Sequence, residues 1–166
     1  MRRAKKVACY LAMPDEFPTD AIIAGLLRQG KEVYVPVIDR CQQRKMVFQR
    51  YRPSAPMQRN RFGIVEPLLK PRHQLAMPQL DLVLVPLVGF DRCGVRLGMG
   101  GGYYDTNFAF RMDRWRFRKP LLLGLAFNVQ HCEHLNKNHW DVPLDAMLTE
   151  TGVRRVVGSA ARFGNN

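Results

Sequence analysis

Apolar residues recur along this chain in two rhythms, and together they lay out most of its elements. Apolar-rich runs at residues 7–13, 32–38, 80–86 and 121–127, charged only at Glu32 and Asp81, read as strands buried on both faces, the mark of a parallel sheet covered by helices. Between the first two, Ile22, Ile23, Leu26 and Leu27 fall on one helical face, with Thr19 placed to cap the start and Gly30 just past the end. Strand, helix and strand within about thirty residues predict a right-handed parallel crossover. Pro36, which has no N–H to donate, is expected in the last residues of its strand or at an edge.

Further along, residues 45–51 alternate apolar with polar side chains, as a half-exposed strand does, and the prolines and polar residues of 52–60 read as a loop. The run at 80–86 is expected to be the central strand. Residues 103–118 are expected to form the next helix and 151–157 a last short strand, before a disordered tail at 158–166. The order predicts α/β architecture: a single domain over residues 1–166, with its core at about 6–157, in three α/β/α layers around an open, mostly parallel sheet.

The 166 residues fit one domain, and a hydrophobic content of 46% is that of a globular protein. No apolar run approaches the roughly 18 residues of a membrane span. The basic start at Arg2, Arg3, Lys5 and Lys6 leads too soon to Pro14, Asp15 and Glu16 for a secretory signal. Cys9, Cys41, Cys93 and Cys132 are far apart and form no Cys-x-x-Cys pair, so reduced thiols in a cytoplasmic protein are expected. His131, Cys132, Glu133, His134 and His139 fit no ordinary zinc spacing and read as a polar surface.

Charge narrows the choice of partner. Lysine and arginine total 26 against 14 acids, a net charge of +12 that favours anionic partners. From Arg40 to Val65 there are seven basic residues and no acid, and residues 114–119 interleave Arg114, Arg116, Arg118 and Lys119 with Trp115 and Phe117. Such interleaving suits a single-stranded nucleic acid, while cations before Pro120 also suit a helix C-terminus, so both readings stay open here.

Residues 86–105 concentrate the candidate chemistry. They run from an apolar stretch through Asp91, Gly94, Arg96, Leu97, Gly98, Met99, Gly100, Gly101 and Gly102 to Tyr103, Tyr104 and Asp105. Glycine amides approach phosphate oxygens closely, Arg96 offers a two-pronged anion contact, and Asp105 in a first helical turn suits a divalent cation. The loop is neither a dinucleotide fingerprint nor a Walker loop, since Tyr103 stands where a glycine is needed and no Gly-Lys-Ser/Thr follows.

These residues resemble the signature of the 5-formyltetrahydrofolate cyclo-ligase family, also called methenyltetrahydrofolate synthetases. Tyr10, Leu11, Ala12, Met13, Pro14, Asp15 and Glu16 near the start, and Trp140, Asp141, Val142, Pro143, Leu144 and Asp145 near the end, extend the likeness from about Lys6 to about Val157. The resemblance implies ATP-dependent cyclisation of 5-formyltetrahydrofolate to 5,10-methenyltetrahydrofolate, with release of ADP and phosphate. It implies ATP binding by residues 96–104, catalytic roles for Arg96 and Tyr104, and substrate contacts from Leu11, Glu16 and Tyr103. It also implies Mg²⁺ held between Asp105 and Asp145, and a monomeric enzyme whose folate carries one or more glutamates. Members usually begin with an extra helix whose lysine and arginine reach the ATP phosphates, whereas this chain starts almost directly at its first strand, and Gly101 stands where some relatives place a lysine. A catalytically weakened relative and a nucleic-acid-binding protein are therefore the alternatives.

Overall fold

The computed structural model describes residues 3–39, 42–60, 63–113 and 116–156. Cys41, Arg114, Trp115 and the expected disordered tail lie outside them. In chain order the elements are strand β1 (Lys6–Ala8), helix α1 (Asp20–Arg28), β2 (Glu32–Ile38), β3 (Met46–Arg50), β4 (Met57–Arg59), β5 (Val65–Pro67), β6 (Gln74–Leu75), β7 (Leu82–Val85), β8 (Gly89–Phe90), β9 (Arg96–Leu97), helix α2 (Tyr103–Phe108), β10 (Leu121–Leu125), β11 (Ala146–Thr149) and β12 (Gly152–Arg155). Among the described residues, eight strands form one sheet in the order β12-β11-β10-β7-β1-β2-β3-β6. The five central strands from β11 to β2 are parallel; β12 and β3 pair antiparallel at their two flanks, and β6 pairs antiparallel with β3.

Side-chain alternation along the central strands divides the core into two layers. Val7, Cys9, Leu82, Leu84, Leu123 and Leu125 face Ile23 and Leu26 of α1. Ala8, Val83, Val85 and Leu122 face the other way, toward Phe108 of α2 and Phe48. This is the expected three-layer α/β/α arrangement, and the continuous apolar runs arise because both faces of the strands are covered. Each fully buried leucine or valine contributes roughly 1.5–3 kcal/mol relative to leaving it in water.

The crossover from β1 through α1 to β2 is parallel, as expected. Pro36 pairs in register with Phe48 of β3, while the β1 pairing ends at Tyr34, so the proline occupies a stretch of β2 that runs on past β1. Thr19 departs from expectation. It is fully buried and does not cap α1 with its side chain; its hydroxyl donates to the Tyr10 carbonyl at 2.8 Å and accepts from the Ala12 amide at 3.2 Å. The threonine thereby ties the loop after β1 to the start of the helix.

Two other segments differ from the pattern-based reading. The helix expected over 103–118 ends at Phe108 and tightens into a 3₁₀ turn at Ala109–Met112, because Arg111 is drawn into the core and held there by the Phe117 carbonyl at 2.5 Å and by Asp145. The expected loop at 52–60 contains β4, which pairs with β5 as a hairpin beside β2.

Candidate active site

From β1 the chain proceeds to β2 on one side, whereas from β7 it proceeds to β10 and β11 on the other. The strand order therefore reverses between β1 and β7, and a crevice opens beyond the carboxyl ends of these two strands, the usual ligand position in open α/β sheets. A cleft of about 660 Å³ lies there, lined after β1 by Tyr10, Leu11, Met13 and Glu16, and after β7 by Pro86, Leu87 and Val88. Its remaining walls come from the glycine loop with the first turn of α2, from β2 with the β4–β5 hairpin, and from a strap around Trp140 and Asp141.

The glycine loop is reached through the short β8–β9 hairpin. Buried Asp91 accepts from the amides of Cys93 at 2.9 Å, Val95 at 3.0 Å and Leu135 at 3.3 Å, which fixes the hairpin turn against the segment leading to the strap. Gly94 in that turn has φ of +80°, and a Cβ there would stand 2.8 Å from the Leu144 carbonyl, so a side chain is excluded both by conformation and by space. At the far end Gly102 takes φ of +66° as the residue leading into α2, and Thr106 donates to its carbonyl at 3.0 Å.

Arg96 and Asp105 lock this loop to the strap. The guanidinium, nearly buried, donates from Nη2 to Asp105 Oδ1 at 2.6 Å and from Nη1 to the Val142 carbonyl. Asp105 Oδ1 also accepts from the Val142 amide at 2.9 Å. Both residues line the cleft, so the strap, the loop and α2 converge on one ion pair at its wall.

Burial sets the protonation of the neighbouring groups. It raises the Glu16 carboxyl above the usual carboxylate range, against the pull of the Met13 amide, which donates to Oε2 at 2.9 Å. Burial likewise pushes the Tyr10 and Tyr104 phenols well up, and nearby carboxylate charge pushes in the same direction. Both tyrosines consequently stay protonated and serve as hydrogen-bond donors and ring surfaces rather than as bases.

The sequence model of the 5-formyltetrahydrofolate cyclo-ligase family matches residues 1–150. The chain belongs to that family. It is 42% identical to the Haemophilus influenzae 5-formyltetrahydrofolate cyclo-ligase over 89% of this chain and 76% of the relative, and 38% identical to the enzyme of that name in Escherichia coli strain K12 over 90% and 80%. The NMR structure of Aquifex aeolicus 5,10-methenyltetrahydrofolate synthetase superposes with a TM-score of 0.74 at 30% identity, covering 99% of this chain and 76% of that one.

Of the residues that the family resemblance picks out, the structure brings Leu11, Glu16, residues 96–104 and Asp105 to one cleft. Asp145 stands apart from them. It is fully buried, does not line the cleft, and accepts from Arg111 Nη2 at 2.9 and 3.2 Å and from the Leu122 amide at 2.8 Å. It therefore stands in the core, engaged by Arg111 and Leu122, rather than on the cleft wall. Asp105 lines the cleft, and its Oδ2 takes no hydrogen bond among the described residues, which leaves an oxygen that fits magnesium. One carboxylate suffices for a cation that keeps several waters and takes phosphate oxygens.

Sequence reasoning missed Asn60, Glu66 and Asn138, which also line the cleft, and it noted Trp140 and Asp141 only as part of a motif. Glu66 lies in a segment whose acid stands among apolar residues, and that isolation was the available signal. No group of three or more histidine, cysteine or acidic side chains that could hold a metal occurs among the described residues.

Proposed function

We propose that this cyclo-ligase family member closes 5-formyltetrahydrofolate to 5,10-methenyltetrahydrofolate with ATP, and that both substrates share the cleft beyond β1 and β7. A formamide oxygen is a poor leaving group. Phosphorylation makes it a good one: the oxygen attacks the γ-phosphorus and ADP departs, then the N10 lone pair attacks the formyl carbon, phosphate leaves and the N10 proton is lost. A site for this reaction has to align the two reactants and stabilise transferred charge more than perform covalent chemistry.

The amides of residues 98–102 and the Arg96 guanidinium edge supply the positive surface for the phosphates. Magnesium, held through Asp105, would neutralise phosphate charge. Tyr103 offers a ring face to the folate, Leu11 an apolar wall and Tyr104 a hydrogen-bond donor, while Glu16, already biased toward protonation by burial, is suited to take the proton from N10. The supporting observation is the Arg96–Asp105 pair, which fixes the glycine loop in the wall of the cleft that Glu16 also lines.

The basic surface is ascribed to ATP and to a polyglutamate tail, in a monomer acting in the cytoplasm. Among the described residues of the basic-aromatic run, Phe117 packs edge-on against Phe110 at 5.2 Å, which takes up ring surface that base stacking would need. No helix among the described residues is long and apolar enough to cross a membrane. The deciding experiment mixes the protein with 5-formyltetrahydrofolate and Mg-ATP and follows methenyl absorbance. An ATP-dependent rise is expected; none, together with tight oligonucleotide binding, would return the nucleic-acid reading.

A further inference from the structure

Glu66 is 2% exposed, yet it lines the cleft. Among the described residues no lysine, arginine or histidine pairs with it. Its Oε2 accepts from the Ile38 amide at 3.3 Å and from Asn60 Nδ2 at 3.0 Å, and its Oε1 from Gln58 Nε2 at 3.4 Å. A buried carboxylate that has only neutral donors is costly to maintain, and such groups are characteristic of binding sites. Two carboxylate oxygens offer about four lone-pair positions; Oε2 already takes two donors, so an incoming donor edge is met at Oε1, whose one contact, from Gln58 at 3.4 Å, is long and gives way to it.

The surroundings define what that donor belongs to. Glu66 stands on β5, which packs beside β2, and the cleft wall there is apolar: Pro36 and Ile38 from β2, Met46 from β3, and Ile64 and Val65 from the hairpin. Asn60 is itself oriented, since its Oδ1 accepts from the Ile64 amide at 3.1 Å while its amide nitrogen donates to Glu66. An apolar slot with one anionic acceptor suits a flat heterocycle that carries adjacent N–H donors. The reduced pteridine of the folate has such an edge in its 2-amino group and N3–H, whereas adenine and the phosphates of ATP do not offer two adjacent donors to a carboxylate.

We propose that Glu66 is a specificity residue that reads the 2-amino and N3–H edge of the substrate's pteridine, with Asn60 holding its carboxylate in place. The inference rests on the folate reading of the cleft and extends it by naming the group that selects a 2-amino pteridine. A site built around a buried acceptor discriminates strongly against a ligand lacking the matching donor, because the acceptor is then left unpaired.

The test measures binding by calorimetry without ATP, so that it does not depend on turnover. The probes are 5-formyltetrahydrofolate and its 2-desamino analogue. The parent protein is expected to bind the amino compound about 10- to 100-fold more tightly, the range of a hydrogen bond to a charged acceptor, and Glu66→Gln to bring the two within about threefold. Equal weakening of both ligands in Glu66→Gln would make the residue a mere anchor of the hairpin and overturn the proposal, as would a parent protein that does not discriminate. Binding of neither ligand by the parent would instead sink the folate reading itself. Glu66→Asp, which keeps the charge on a shorter side chain, serves if Glu66→Gln does not fold: reduced discrimination supports the proposal, and parent-like discrimination overturns it.

Discussion

The Arg111 guanidinium reaches Asp145 at 2.9 Å with 2% of the arginine side chain and none of the aspartate exposed. This pair fastens three pieces of chain at once: the 3₁₀ turn after α2, the Phe117 carbonyl, and the start of β10 through the Leu122 amide. Asp145 closes the strap whose Val142 holds Arg96 and Asp105, so the core pair sits three residues from the cleft wall.

Breaking a buried pair by removing one charge strands the other, at a typical cost of about 3–5 kcal/mol. Asp145→Asn and Arg111→Met should each lower the stability measured by urea unfolding by about that amount, while the magnesium concentration needed for half-maximal activity stays that of the parent. A shifted magnesium requirement with unchanged stability in Asp145→Asn would restore Asp145 as a cation ligand.

Arg96→Lys keeps the charge but cannot donate from two prongs to Asp105 and Val142 at once. Its kcat/KM for Mg-ATP should fall on the order of 100-fold, and Asp105→Asn should weaken the response to magnesium as well. Initial rates across ATP and magnesium titrations decide this. Parent-like kinetics in Arg96→Lys would make the arginine peripheral.

At the amino end of β7, the opposite end from the cleft, Asp81 gathers the start of the chain. Burial alone would raise its carboxyl, but the Lys119 ammonium at 2.5 Å and the amides of Lys5 and Lys6 outweigh this and lower it from 3.8 to about 2. A depressed carboxyl contributes stability that is fully present above its unfolded value and disappears as pH falls through the folded one. Asp81→Asn should therefore reduce stability at neutral pH and flatten its decline between pH 3.8 and 2. Because Lys119 is 64% exposed, the effect should be about 1 kcal/mol or less. Parallel stability–pH curves for parent and variant would show that the contact contributes nothing.

How far the sequence reaches depends on length and repetition. The parallel strands were legible because burial on both faces demands several consecutive apolar residues, and α1 because Ile22, Ile23, Leu26 and Leu27 share a face. The β8–β9 hairpin was not, since two residues per strand carry no rhythm; only Asp91 and Gly94, the turn between them, hinted at it. The helix expected to reach 118 was read from local spacing, and its early end comes from Arg111 meeting an acid 34 positions away, which no local pattern records. In the cleft, glycines advertised the loop, and Gly100 and Gly102 take the positive φ that favours glycine there. Arg96 and Asp105 were both picked out, but as ligands of phosphate and cation rather than as partners of one another. Glu66 escaped notice because its significance lies in burial, and the first strand of the hairpin that carries it falls in the 52–60 segment read as a loop.

The basic segment between Arg40 and Val65 carries the last prediction. Among its described residues Arg44, Lys45 and Arg52 are exposed, and Lys45 immediately precedes Met46, which lines the cleft. Arg50 is partly engaged by Glu32 at 3.5 Å and exposed Arg59 donates to the Gly63 carbonyl at 2.8 Å, leaving Arg44, Lys45 and Arg52 as the stronger field at this rim. A polyglutamate tail leaving the pocket on this side would add carboxylates opposite those cations. Attraction between exposed charges fades with salt, because the Debye length shortens from about 10 Å at 0.1 M to about 3 Å at 1 M. Pentaglutamyl 5-formyltetrahydrofolate should thus bind more tightly than the monoglutamate at low salt, with the preference shrinking as salt rises. Reversing Arg44 and Lys45 to glutamate should diminish that preference several-fold and leave monoglutamate affinity nearly unchanged, since neither side chain lines the cleft. Titrations of both folates across a salt series, with a single-stranded oligonucleotide as competitor, make the comparison. Equal affinity for the two folates at low salt would remove the tail from this surface, and tight oligonucleotide binding there would assign the charge to nucleic acid instead.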